Sequence, residues 1–116
     1  MSQKTLTAAL ALPLLLASCG GAGAGASGDR LYLTNGCSSC HGATGSGGAL
    51  GPPLEDLARF WDRDSLSDFF KDPKAALASD ARLAKVSEPF RAKMPAFPYL
   101  TDEQAGRIAD FVLSLK

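Results

Sequence analysis

Two stretches of the chain carry a helical rhythm of apolar side chains. Near the C-terminus, Ala105, Ile108, Val112 and Leu115 fall on one stripe, which Phe111 widens. Thr101 stands where an N-cap belongs and Gln104 completes a capping box, while Asp102 and Glu103 face the positive end of the helix dipole. In the other stretch, residues 65–71, Leu66, Phe69 and Phe70 recur at i, i+3 and i+4 before Asp72-Pro73 stops the helix. Elsewhere the rhythm is weaker. Residues 29–35 predict a first helix ending near Gly36, a suitable C′ residue. Residues 54–60 suggest a short helix, and the alanine-rich stretch 74–86 is ambiguous and partly helical. Residues 37–53 read as loop, because glycines at 42, 45, 47, 48 and 51 are too frequent for regular structure. Positions 45–48 within it read as a mobile surface stretch. The pattern predicts an all-α domain.

The front of the chain is patterned differently. Lys4 gives a small positive start, and residues 6–17 form an apolar run containing one proline. That run is well short of the ~18–20 apolar residues that span a bilayer, so it reads as a secretory signal. Its end, Leu15-Leu16-Ala17-Ser18-Cys19, resembles a bacterial lipobox, in which the cysteine becomes the lipidated first residue. The alternative is ordinary signal cleavage nearby, which would leave Cys19 as an odd free thiol in an oxidising compartment. Residues 20–27 are a low-complexity Gly/Ala/Ser tether, reaching at most ~26–29 Å when extended. The expected organisation is a lipoprotein signal peptide at 1–18, lipidated Cys19 with its tether at 19–27, and one domain at 28–116. An exported, membrane-anchored lipoprotein follows, held on the outer side of the cytoplasmic membrane or in the periplasm.

Charge excludes one class of partner. The precursor holds 12 basic and 12 acidic residues, and loss of Lys4 leaves 11 against 12, or −1. Such a chain has no basic field for nucleic acid.

The chemistry is concentrated in Cys37-Ser38-Ser39-Cys40-His41. This spacing reads as a covalent haem c attachment site: two thiols add to the vinyl groups of a porphyrin, and the next residue brings an imidazole to the iron. The alternatives are a redox Cys-x-x-Cys pair or half of a zinc site. Zinc needs further ligands, yet His41 is the only histidine and Cys19 the only other cysteine; a thioredoxin-like motif needs a βαβ setting that the flanks lack. One haem also compensates for a small side-chain core. For a second iron ligand, Met94 is the only methionine besides the initiator. It lies in Lys93-Met94-Pro95-Ala96-Phe97-Pro98, too proline-rich for helix and able to present a thioether with little entropy left to lose. The bland alternative is that Met94 fills a core gap.

Residues 28–116 resemble a class I monohaem cytochrome c of the small bacterial type, in lipoprotein form. The likeness rests on the segment from Gly28 through Cys37-Ser38-Ser39-Cys40-His41-Gly42, on Gly51-Pro52-Pro53-Leu54, on Met94-Pro95 and on Ile108-Ala109-Asp110-Phe111-Val112. It implies a small cytochrome c fold of helices and loops wrapped around one haem. It further implies His41 and Met94 as the two axial iron ligands, with a proline carbonyl accepting from the proximal histidine. Either Pro52 or Pro53 can supply that carbonyl, with Pro52 favoured. The last helix is expected to cross the first near its glycine. Trp61 either donates to a haem propionate or packs between helices. Arg59, Arg63 and Arg91 are further propionate candidates or simply solvated charges.

The function implied is single-electron transfer between respiratory complexes, with no acid, base or nucleophile required. The family-level partners are redox proteins: a quinol-oxidising cytochrome complex, a terminal oxidase or another oxidoreductase. Alternatives are a haem subunit fixed to one enzyme complex, or a five-coordinate haem protein that binds small ligands.

Overall fold

The computed structural model describes residues 25–116. The expected signal peptide, Cys19 and most of the tether lie outside the described residues. Six helices and no strand occur among the residues described: α1 (Gly28–Thr34), α2 (Cys37–His41), α3 (Arg63–Lys71), α4 (Pro73–Ser79), α5 (Ala81–Ser87) and α6 (Asp102–Leu113). A 3-10 turn at Leu57–Arg59 sits between α2 and α3.

The frame is α6 with α1 and α3 packed against it. Its apolar face does the joining: Ala105, Ile108, Ala109 and Val112 are buried with Leu31 and Tyr32 of α1, Leu66 and Phe70 of α3, and Leu100. Two glycines permit the close approach. A Cβ on Gly28 would overlap the backbone carbonyl of Arg107 on α6. A Cβ on Gly106 would meet the Arg63 guanidinium, whose Nε donates to both Asp110 oxygens at 3.1 Å. At the other end of the α3–α6 pair, Lys71 forms an ion pair with Asp102.

Capping chemistry sets most boundaries. In α6 the Thr101 Oγ1 accepts from the Gln104 N–H at 3.1 Å, and the Gln104 Oε1 accepts from the Thr101 N–H at 3.0 Å. The helix ends at Leu113, so Leu115 lies beyond it. Leu115 still packs on the core, and its carbonyl accepts from the Asp56 N–H at 3.2 Å. Helix α3 starts two residues before the predicted Ser65. Asp62 caps it, accepting from the Ser65 N–H at 2.8 Å while the Ser65 hydroxyl accepts from the Asp62 N–H at 3.1 Å.

The ambiguous stretch 74–86 resolves into two helices. Asp72 caps α4, with Pro73 at its first position, and Asp80 caps α5 by accepting from the N–H groups of Arg82 and Leu83 at 2.9 and 3.2 Å. The expected helix at 54–60 shrinks to the 3-10 turn, since Asp56 adopts a left-handed φ of 55° just before it. The loop expected at 37–53 is interrupted by α2, whose entry Gly36 takes the left-handed conformation at φ 78°. In 45–48, Ser46 and Gly48 are exposed, yet the stretch is tied down at its start. Gly45 is buried, and its carbonyl accepts from the Leu54 N–H at 2.7 Å.

Candidate functional site

A cavity of about 270 Å³ opens between the α1–α2 segment, α3, α5 and the irregular residues 91–97. Its walls are mainly apolar, and Cys37, Cys40, His41 and Met94 all line it. Pro52, Leu54, Trp61, Leu66 and Phe97 line it as well. Residues spread over more than half the chain thus converge on one slot.

The lower part of the slot is built around α2. Three residues apart on one short helix, Cys37 and Cys40 both carry free thiols. Burial pushes the Cys37 thiol above its usual range, outweighing the opposite pull of its own backbone N–H, and the neighbouring Cys40 adds to the rise. A redox Cys-x-x-Cys pair needs the reverse, a thiol depressed toward neutrality so that thiolate attacks. Among the described residues, no three His, Cys, Asp or Glu side chains gather into a metal-holding group, so no zinc site is assembled here.

His41 is fixed through one ring nitrogen. Its Nδ1 lies 2.8 Å from the Pro52 carbonyl oxygen. A carbonyl can only accept, so Nδ1 carries the proton and Nε2 keeps its lone pair for a metal. The carbonyl that meets the ring is that of Pro52 rather than Pro53. Close packing holds it there: a Cβ on Gly51 would crowd the Cys40 backbone at 3.1–3.3 Å, and the Gly47 N–H donates to the His41 carbonyl at 2.7 Å. The Tyr32 hydroxyl donates to the Gly42 carbonyl at 2.6 Å, tying the residue after His41 to α1.

Met94 enters from the other end of the chain. It is half-buried and packs against the core cluster within residues 91–97, which are non-helical. Downstream, the Phe97 N–H donates to the Phe70 carbonyl at 2.8 Å, tying this segment to the end of α3. Beyond it, the Tyr99 hydroxyl donates to Asn35 Oδ1 at 3.1 Å, closing a link to the end of α1.

Trp61 also faces the cavity, tilted against Phe69 with ring centroids 5.1 Å apart. Arg59, Arg63 and Arg91 do not line it. Arg63, the first residue of α3, pairs with Asp110 of α6, and Arg59 lies 5.9 Å from the Phe60 ring. The arginine that does line it, Arg82, was missed by sequence reasoning. Its guanidinium stands 4.4 Å from the Phe60 centroid and 5.7 Å from that of Trp61, with Asp80 at 3.8 Å. Arg82 lies in the stretch where periodicity is mute, so the only signal was an arginine two residues after a capping aspartate.

Two thiols one helical turn apart, an imidazole presenting a free Nε2, a thioether and an apolar slot form a donor set suited to a flat, largely apolar, iron-bearing macrocycle. They suit neither a hydrated cation nor a polar substrate. A family model for cytochrome c matches residues 25–116. No curated protein and no solved structure matches the chain.

Proposed function

The chain belongs to the cytochrome c family, and on that premise we propose that it is a membrane-anchored respiratory electron carrier with His41 and Met94 as axial ligands. The family carries one covalent haem c, typically through Cys-x-x-Cys-His, and Cys37, Cys40 and His41 are that sequence here. Its members transfer electrons through the haem and are not catalysts by themselves. They are generally exported. No helix among the described residues is long and apolar enough to cross a membrane.

The observation that carries the reading is the shared cavity: both thiols, the His41 ring and Met94 line one apolar slot. The haem supplies an iron that alternates between two oxidation states. The chain's task is to keep everything else still. Cys37 and Cys40 would hold the macrocycle, and the Pro52 carbonyl, 2.8 Å from His41 Nδ1, fixes the ring and leaves Nε2 to take the iron. Pro95 disfavours helical backbone at Met94, leaving the backbone that presents the thioether little freedom to lose on coordination. Leu54, Leu66 and Phe97 exclude water. With a thioether as its second ligand, the iron would have a higher potential than with a second nitrogen ligand. That places the carrier toward the oxidising end of a chain, between a quinol-oxidising complex and a terminal oxidase or another oxidoreductase.

The propionates are assigned to the wall that carries Trp61 and Arg82, where an indole N–H and a guanidinium are at hand. Arg59, Arg63 and Arg91 are not assigned to them. Lipid on Cys19 and the tether would confine the domain near its partners, so effective concentration replaces charge steering.

The deciding experiment is Met94→Ala in the holoprotein. Haem should survive acid–acetone extraction in both forms, while the variant alone binds imidazole readily, has a lower potential and fails to turn over with an oxidase. Equal imidazole binding by wild type would establish the five-coordinate alternative. For the anchor, Cys19→Ala should release a spectrally unchanged domain from membranes. A wholly soluble wild type would reject lipidation.

A further inference from the structure

Met94 is secured unequally on its two sides. Downstream, the amide of Phe97 and the hydroxyl of Tyr99 fasten the chain to α3 and α1. Upstream, one side chain makes every hydrogen bond that residues 91–96 form among the described residues. The Lys93 ammonium donates to the Ser87 carbonyl at 3.0 Å, to the Ser87 hydroxyl at 3.0 Å and to the Phe90 carbonyl at 2.8 Å. An ammonium has three N–H donors, and here each has an acceptor. Two of those acceptors are carbonyls at and just beyond the C-terminus of α5, where the dipole favours a cation; the Ser87 carbonyl also receives the Phe90 N–H at 3.1 Å. The contact therefore closes residues 87–93 into a ring immediately before Met94.

We propose that Lys93 is the positioning residue for Met94: it clamps the upstream end of the ligand loop to the end of α5 and so sets how firmly the thioether is presented. This rests on the reading of Met94 as an iron ligand. The geometry gives the clamp leverage. Pro95 disfavours helical backbone at Met94, so the point from which the thioether is presented follows from where the Lys93 backbone is held. With Lys93 fixed, the loop is pinned on both sides of Met94. With the clamp gone, the last tie to α5 is the Phe90 N–H on the Ser87 carbonyl at 3.1 Å, residues 91–93 run free of it, and Met94 must lose that freedom to bind iron. A surface lysine of no consequence would reach for solvent; this one folds back over the cavity wall, which it lines.

The test compares ferric holoproteins: wild type, Lys93→Leu, Lys93→Arg and Met94→Ala, each titrated with imidazole and scanned for the thioether-to-iron charge-transfer band. Lys93→Leu keeps an apolar stem, deletes the donors and adds no group that can bind iron. It should bind imidazole about tenfold more tightly than wild type, the factor that about 1.4 kcal/mol produces, with a weakened charge-transfer band. Helical content should be unchanged. Lys93→Arg, which retains donors and charge, should recover most of the wild-type behaviour. Wild-type affinity and band in Lys93→Leu would overturn the proposal. If wild type and Met94→Ala bind imidazole equally, the ligand assignment has failed and the clamp falls with it. Should Lys93→Leu not accumulate as holoprotein, Ser87→Ala, which deletes one acceptor, decides. A rise in imidazole affinity of about twofold, equivalent to ~0.4 kcal/mol, supports the clamp, and no change overturns it.

Discussion

Gly28 and Gly106 sit at the two helix contacts that build the frame, and alanine should be costly at the first and nearly neutral at the second. At Gly28 the added Cβ would overlap the Arg107 carbonyl oxygen, with the carbonyl carbon at 2.9 Å and Phe111 Cβ at 3.0 Å. These are backbone and near-backbone atoms of α6, so relief requires α1 to move away from α6. That movement would loosen Leu31 and Tyr32, each 1% exposed, from Ile108 and Val112. Overpacking of this kind costs about 1–3 kcal/mol, which in a domain of this size lowers Tm by ~4–24 °C. At Gly106 the clash is with the Arg63 guanidinium, the far end of a side chain already 48% exposed. It can swing into solvent. What is lost is a surface ion pair of about 0.2–1 kcal/mol, and what is gained is the ~0.5–1 kcal/mol by which alanine outperforms glycine inside a helix. The two nearly cancel, so Gly106→Ala should melt within a few degrees of wild type. Thermal melts of the holoproteins, followed by near-ultraviolet dichroism, measure both. If Gly28→Ala melts with wild type, the close approach of α1 to α6 is not a constraint. If Gly106→Ala falls as far as Gly28→Ala, Arg63 is more rigidly held than its exposure implies.

Tyr32→Phe removes the hydroxyl donated to Gly42, but that carbonyl still receives the Gly45 N–H at 3.2 Å. The cost should therefore stay near ~1 kcal/mol in denaturant unfolding rather than approach the penalty for an orphaned acceptor. Thr101→Ala deletes the side-chain half of the α6 capping box and should cost about 1 kcal/mol, while Thr101→Ser should restore most of it. The Asp102 carboxyl is held below its ordinary value of 3.8 by the hydrogen bond from Lys71 and then by its charge. A depressed carboxylate contributes stability above its unfolded pKa and loses it as pH falls through the folded one, so Tm should drop with acid below about pH 4. Asp29, lowered by hydrogen bonds from Ser27 and Arg30, and Asp62, lowered by those from Ser65, act in the same direction. Asp102→Asn should flatten part of that acid limb, and an unchanged limb would show that the pair contributes nothing.

What could be read in advance follows from what kind of signal each element carries. Helix α6 announces itself because a buried stripe and a capping box are both local patterns, and the Cys37–His41 motif does so because its chemistry is contiguous. In helix α3 the stripe of Leu66, Phe69 and Phe70 is legible, but its start is not, because its cap uses Ser65 where Glu or Gln usually completes the box. The split between α4 and α5 was invisible because an alanine-rich stretch has no contrast between faces, and Asp80 looks like any solvated charge. Five residues cannot display a helical period, so α2 was hidden among its glycines. Arg82 escaped for another reason. Its place on the cavity wall depends on stacking over Phe60, a contact between distant segments that only the folded chain creates.

The same distinction explains how the slot is held. Around His41 and Met94 the decisive partners are largely backbone atoms: the Pro52 carbonyl, the Gly47 amide, and the Phe70 carbonyl that takes the Phe97 amide. Such contacts do not depend on the partner's side chain, so they leave no residue-type signature beyond the glycines and prolines that let the backbone pass. At Gly47, φ is 81° and a Cβ would stand 2.6 Å from the Pro53 nitrogen. A side chain there would push apart the turn that brings the Pro52 carbonyl to the His41 ring. Backbone hydrogen bonds of this kind are also stiff, because each end is fixed by the chain on both sides. For a protein that moves electrons, stiffness around the iron limits what must reorganise when charge arrives. The exposed Lys93 clamp differs, since on the upstream side it acts through a long side chain alone, and it leaves that side of the Met94 loop the easier one to release.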